Sequence, residues 1–156
     1  MSTLTRQIAT NLRTVYFGEN WTWVNFKETL ADVTWHEAVS KVDSLNTILA
    51  LVYHSGYYVT GVAAYLEGGE LSIRDKYAFD HPQITSEEEW QALLQQTWQN
   101  AERFALLIEA LPEEKLWQTF FEEKYGNYYR NLHGVIEHLH YHLGQIVIIK
   151  KMLRNR

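Results

Sequence analysis

From Ile48 to Leu66 the chain runs for 19 residues without an Asp, Glu, Lys or Arg. A segment this long and this free of charge either crosses a membrane or fills the centre of a helical protein. His54, Ser55, Gly56, Tyr57, Tyr58, Thr60 and Gly61 dilute its apolar character, and nothing similar occurs elsewhere in the chain. It therefore reads as the central helix of a soluble protein, with no membrane as partner. Asn46 is the expected N-cap of this helix, segment two over about residues 47–66, and Gly68-Gly69 its expected end.

Three further segments carry a helical apolar period. Segment one spans about residues 2–17, with Leu4, Ile8, Leu12 and Val15 on one face. Segment three opens at Ser86, where Glu89 three residues on suggests a capping box, and Pro112 closes it. Segment four runs from about Tyr128 to Leu153, with Lys150, Lys151 and Arg154 at the end where the helix dipole favours cations. Between segments one and two, residues 21–43 show no clean period. Trp21, Trp23, Phe26, Leu30, Val33 and Trp35 are the expected anchors, and the three Trp suggest that this long connection packs across the other helices, with one or two short helical turns, for example over residues 27–31. Residues 65–73 allow one short strand at most. The expected fold is all-α, a four-helix bundle with a long, Trp-rich first connection, forming one domain over residues 1–156.

Composition narrows the function. The 156 residues hold 14 Lys+Arg against 19 Asp+Glu, a formal charge of −5. No basic field exists to displace phosphate counterions, which argues against nucleic acid as a partner. Cys is absent, which removes disulfides, thiolate metal sites and a cysteine nucleophile. Residues 1–8 lack the apolar core of a signal peptide, so the expected location is cytoplasmic.

Seven His in a Cys-free chain direct attention to imidazole chemistry. With Leu139 set at zero on the helical wheel of segment four, His138 falls at about −100° and His142 at about −60°. They lie one turn apart on one side, a spacing that lets two imidazoles converge on one ion. His133 and His140 fall at about +120° and +100°, roughly 10 Å apart along the axis, and cannot share an ion. His54 is the natural third candidate. In mid-segment two it must be either hydrogen-bonded or ligating, because an unsatisfied buried imidazole is costly. His36 and His81 read as exposed loop residues. The metalloprotease pattern His-Glu-x-x-His is absent, and Glu137-x-x-His140 has no second copy of the kind a di-iron bundle requires.

His54 within Leu51-Val52-Tyr53-His54, and the stretch from Gly134 to His138 followed by Tyr141-His142-Leu143-Gly144-Gln145-Ile146, resemble the DinB/YfiT-like superfamily. The resemblance covers essentially the whole chain. It implies a four-helix bundle in which His54, His138 and His142 hold a divalent metal, Zn²⁺ or Ni²⁺, with one open position. It also implies an enzyme that transfers a low-molecular-weight thiol such as bacillithiol to an electrophilic small molecule. The alternatives are a metal-dependent hydrolase, or a non-catalytic bundle serving binding or assembly, with the tyrosine-rich side of segment two as a homodimer face. The chain departs from the family pattern at Leu143, where a basic residue is frequent, and at Tyr141, beside the position of a second histidine. Tyr58 and Gln145 are the residues expected to contact the ligands. Gly134, one turn before His138, either leaves room for a ligand or permits close helix packing.

Overall fold

The computed structural model describes residues 3–155, and these are all-helical. Their six α-helices are α1 (Leu4–Phe17), α2 (Phe26–Leu30), α3 (Trp35–Val39), α4 (Ile48–Leu66), α5 (Glu87–Ala110) and α6 (Tyr128–Arg154). The long helices α1, α4, α5 and α6 are the four expected segments. Ser2, where segment one was expected to start, lies outside the described residues. No strand occurs among the described residues, only an isolated antiparallel bridge between Thr119 and Asn127.

Helix boundaries follow side-chain chemistry with small shifts from expectation. Thr47, not Asn46, caps α4, its hydroxyl accepting the Ala50 N–H at 3.1 Å. Both residue types cap well, and the register of the first buried turn decides between them. Gly68, with φ +92°, takes the chain out of α4 in a conformation that other residues adopt at a cost. Ser86 caps α5 as expected, but the Glu89 carboxylate reaches past it to the Thr85 N–H at 2.7 Å, so no reciprocal capping box forms there. A complete box does form at Thr34 and Glu37, opening α3, a helix that periodicity did not suggest.

Helix α1 packs on α5, α5 on α4, α4 on α6 and α6 on α1. The enclosed core includes Leu12, Leu51, Val59, Trp90, Phe104, Leu132 and Ile146. Ten side chains of α4 are buried, the sign of a central element, although its Tyr57, Tyr58, Thr60 and Gly61 are only half-buried.

The first connection is docked, but not by all three tryptophans. Trp21 is 97% exposed and Trp23 83% exposed, while Trp35 is half-buried. Of the expected anchors, Phe26, Leu30 and Val33 are the buried ones, and Phe26 stacks on Tyr16 with ring centroids 5.1 Å apart. The Val33 carbonyl accepts the buried Trp90 indole N–H at 2.8 Å, tying this connection to α5. Lys150 donates to the Thr29 carbonyl at 2.6 Å, and Arg154 spans Asp32 and Glu37 at 2.7 Å each. The basic end of α6 therefore clamps the connection as well as meeting the helix dipole. Lys150 and Arg154 hold the Asp32 carboxyl down at about 2, and Arg154 does the same to Glu37.

Candidate metal centre

Helices α4 and α6 pack together, and the contact brings three imidazoles to one point. His54 comes from the middle of α4. His138 and His142 come from successive turns of α6, as the helical period requires. One ring nitrogen from each lies within 4.8 Å of those of the other two. His138 Nε2 is 3.1 Å from His54 Nε2 and 2.9 Å from His142 Nε2. His54 and His142 are buried and His138 is half-buried.

The outer ring nitrogens set the tautomers. His54 Nδ1 faces the Ala78 carbonyl at 3.3 Å, and His142 Nδ1 faces Gln145 Oε1 at 2.7 Å. Both partners are acceptors, so both Nδ1 atoms carry the proton. Both Nε2 atoms are then bare and aim their lone pairs at His138. A neutral His138 brings at most one proton to its own Nε2, which cannot satisfy two acceptors fully. The ring stays neutral: burial and the two neighbouring histidines push its pKa down to about 4. Burial also lowers His54 and His142, with His142 adding to the effect on His54. Three neutral imidazoles with converging lone pairs are chemically a ligand set. Zinc–nitrogen bonds of about 2.0–2.1 Å at tetrahedral angles separate ligand nitrogens by roughly 3.3–3.4 Å, within a few tenths of an ångström of the two contacts found here. The donor set thus fits a divalent ion.

The connection between α4 and α5 completes the surround. A 3-10 turn over Asp75–Tyr77 places the buried Ala78 carbonyl on His54. Phe79 stacks on the His54 ring, centroids 4.1 Å apart at 13°. Two tyrosines of α4 hold this connection down. Tyr58 donates to Asp75 Oδ1 at 2.8 Å, while Tyr57 donates to the Arg74 carbonyl at 3.2 Å and accepts the Arg74 N–H at 2.9 Å. Burial and Asp75 push the Tyr58 hydroxyl up to about 12, and its ring lies edge-on to His54 and His138. Two tyrosines on the side of α4 expected to offer a dimer face are therefore engaged within the chain.

The two residues expected to support the ligands divide by role. Gln145 orients a ligand directly. Tyr58 packs against two ligands and fixes the connection that carries Ala78. A Cβ on Gly134 would meet nothing within 4 Å, so this glycine is not there for close helix packing. It opens onto a cavity of about 560 Å³ that His138 also lines. The remaining histidines stand apart. His133 packs on Tyr129, and half-buried His140 lies across α6, beside Trp21 and Trp23. His36 is exposed, but on α3 and not in a loop, and His81 is half-buried, with Nδ1 3.0 Å from the Pro82 carbonyl. Ala78, Phe79 and Asp75 were not foreseen as parts of the site. Phe79 is one of two aromatics in that connection, with Tyr77, and nothing in the sequence marks which of them turns to the histidines. A backbone carbonyl such as that of Ala78 leaves no mark in the sequence.

No known family model, curated protein or solved structure matches this chain. The resemblance to DinB-like proteins rests on the residues quoted for it. No helix among the described residues is long and apolar enough to cross a membrane, α4 included.

Proposed function

We propose that this chain is a DinB-like four-helix bundle in which His54, His138 and His142 hold a divalent metal, Zn²⁺ or Ni²⁺, and that it transfers a low-molecular-weight thiol to an electrophilic small molecule. The observation that carries the reading is the convergence of three neutral Nε2 atoms, two of them held bare by the Ala78 carbonyl and Gln145. The closed sequence of helix contacts supports the bundle. A divalent ion in such a site supplies Lewis acidity and lowers the pKa of a thiol or water that it binds.

The chain's own residues do the rest. Gln145 and Ala78 hold two imidazoles in the ligating tautomer, so no proton need leave Nε2 when an ion binds. Phe79 and Tyr58 cover the His54 ring and restrict water on that side. The cavity beside His138 is the approach for substrate. Thiol transfer is taken over hydrolysis from the family resemblance, and the surroundings of the triad are compatible with it. No carboxylate joins the cluster among the described residues, and Asp75, which lines the same cavity as His138, accepts the Tyr58 hydroxyl. With no Cys in the chain, the thiol comes from outside.

The test is to load the protein with Zn²⁺ or Ni²⁺ and present bacillithiol, or a simpler aminothiol, with an activated aryl halide. Formation of the S-aryl conjugate above the uncatalysed rate, lost in His138→Ala together with the metal, supports the reading. Ester hydrolysis without thiol dependence would favour the hydrolase. Stoichiometric metal with neither reaction would favour a binding or assembly role.

A further inference from the structure

The cavity beside His138 is polarised along α6. Arg130, Gly134 and His138 follow one another at four-residue spacing, which aligns them on one face of the helix. All three line the cavity. Eight residues separate Arg130 from His138, about 12 Å along the axis. Between them Gly134 presents no side chain, and a Cβ there would meet only open space. The floor is apolar, with Val62, Ile73 and Phe120.

The two ends differ in charge. At the histidine end stands Asp75, hydrogen-bonded to Tyr58. At the far end Arg130 occupies the first turn of α6, which contains no acidic residue. A cation there adds to the positive pole of the helix, where sequence economy favours a carboxylate. No ion pair or side-chain hydrogen bond engages the Arg130 guanidinium among the described residues. Arg13, Arg103, Lys150 and Arg154, by contrast, are each paired with a carboxylate. Lys124, which also lines the far end, pairs with Glu122. Arg130 is therefore an exposed, unneutralised, fork-shaped donor at one end of a trough with an apolar floor whose other end is the three-histidine cluster.

We infer that Arg130 is a specificity residue that anchors the carboxylate of a small-molecule acid, which lies across Gly134 with its other end at the histidines. Guanidinium forks recognise carboxylates through paired hydrogen bonds. The inference deepens the metal-site reading and rests on it for the reactive end. The ligand class is an elongated, largely apolar acid, with its anionic group several bonds from the reacting atom.

Two experiments separate this inference from the metal reading. In the first, the protein is loaded with Co²⁺, and thiolate binding is followed by the charge-transfer absorption it produces. The probes are ω-mercaptohexanoate and ω-mercaptohexanol, which differ only in the terminal group. The acid binds at least about tenfold tighter than the alcohol, the scale of one charge-assisted pair. Arg130→Gln brings the two within about twofold, leaving the alcohol's affinity and the cobalt content unchanged. Gly134→Leu weakens both probes by more than about tenfold at unchanged cobalt content. Equal binding of acid and alcohol by the unmodified protein, or a preference that survives Arg130→Gln, overturns the inference while leaving the metal site standing.

In the second, hexanoate is titrated into metal-free protein and followed by nuclear magnetic resonance. The Arg130 Nε–H and Gly134 amide resonances shift together and saturate, and the Gly134 shift is absent from Arg130→Gln. No shift at either position overturns the carboxylate subsite whatever the metal result. Failure of Co²⁺ to bind overturns the three-histidine reading and leaves this titration to decide the subsite.

Discussion

Replacing Gln145 by Leu removes one hydrogen bond and little volume, and it tests how His142 is prepared for ligation. Gln145 Oε1 accepts the His142 Nδ1–H at 2.7 Å, and this bond is what keeps Nε2 unprotonated and aimed at the cluster. An ion on Nε2 polarises the ring and makes the Nδ1–H a stronger donor, so the bond gains strength when metal binds. A hydrogen bond with a charged partner contributes about 1.5–3 kcal/mol, and loss of such an outer contact typically costs 10–100-fold in metal affinity. Half-buried Gln145 gives water partial access to the vacated Nδ1, which places the expected loss nearer about tenfold than a hundredfold. Competition with a chromophoric chelator at constant pH gives the Zn²⁺ dissociation constant of both proteins. Gln145→Glu, whose carboxylate is the stronger acceptor, restores or exceeds the original affinity. Unchanged affinity in Gln145→Leu, with helicity intact, would refute the claim that this residue sets the His142 tautomer.

Three other outcomes follow from the structure. Trp90→Phe strands the buried Val33 carbonyl and lowers stability by about 1–3 kcal/mol, a fall of roughly 2–10 °C in Tm by thermal unfolding; no change would mean that this bond does not hold the first connection. The metal-free protein loses stability as pH falls from about 6.5 towards 4, because the histidines bind protons more readily in the unfolded chain than in the fold. For His138 the full displacement from 6.5 to about 4 corresponds to about 3 kcal/mol, which solvent screening of this half-exposed ring reduces to roughly 1–2. Asp32 and Glu37 add their own loss from about pH 5 downward, between their ordinary values and about 2, and so overlap only the foot of that window. Urea unfolding at a series of pH values reads the slope, and His138→Gln flattens it. Finally, His133→Ala and His140→Ala leave metal content unchanged, as elemental analysis will register; loss of metal in either would show that the wrong face of α6 has been chosen.

Much of the site was legible because helical period is a strong signal. His138 and His142 fall on one side of α6 by arithmetic, and His54 stands out as the one ionisable imidazole in an uncharged run. The four long helices were legible for the same reason. What the sequence concealed depends on the path of the connections. The Ala78 carbonyl reaches His54 only because Tyr57 and Tyr58 pin residues 74–75 back onto α4, and no local pattern announces that return. Of the expected anchors of the first connection, Trp21 and Trp23 misled because an aromatic without a period carries no direction, whereas Trp35 packs against the core. Trp23 sits in a turn with φ 58° and points out, while Phe26 and Leu30 carry the docking. Helix α3 escaped notice because five residues are too few for a period, although Thr34-x-x-Glu37 was there to mark its start.

The most direct measurement is elemental analysis of the protein after incubation with Zn²⁺ and Ni²⁺ and thorough dialysis, alongside His54→Ala, His138→Ala and His142→Ala. The three-histidine site predicts about one equivalent of metal in the unmodified protein and loss of it in each variant, with helicity retained. Full metal content in the variants, or none in the unmodified protein, would contradict it.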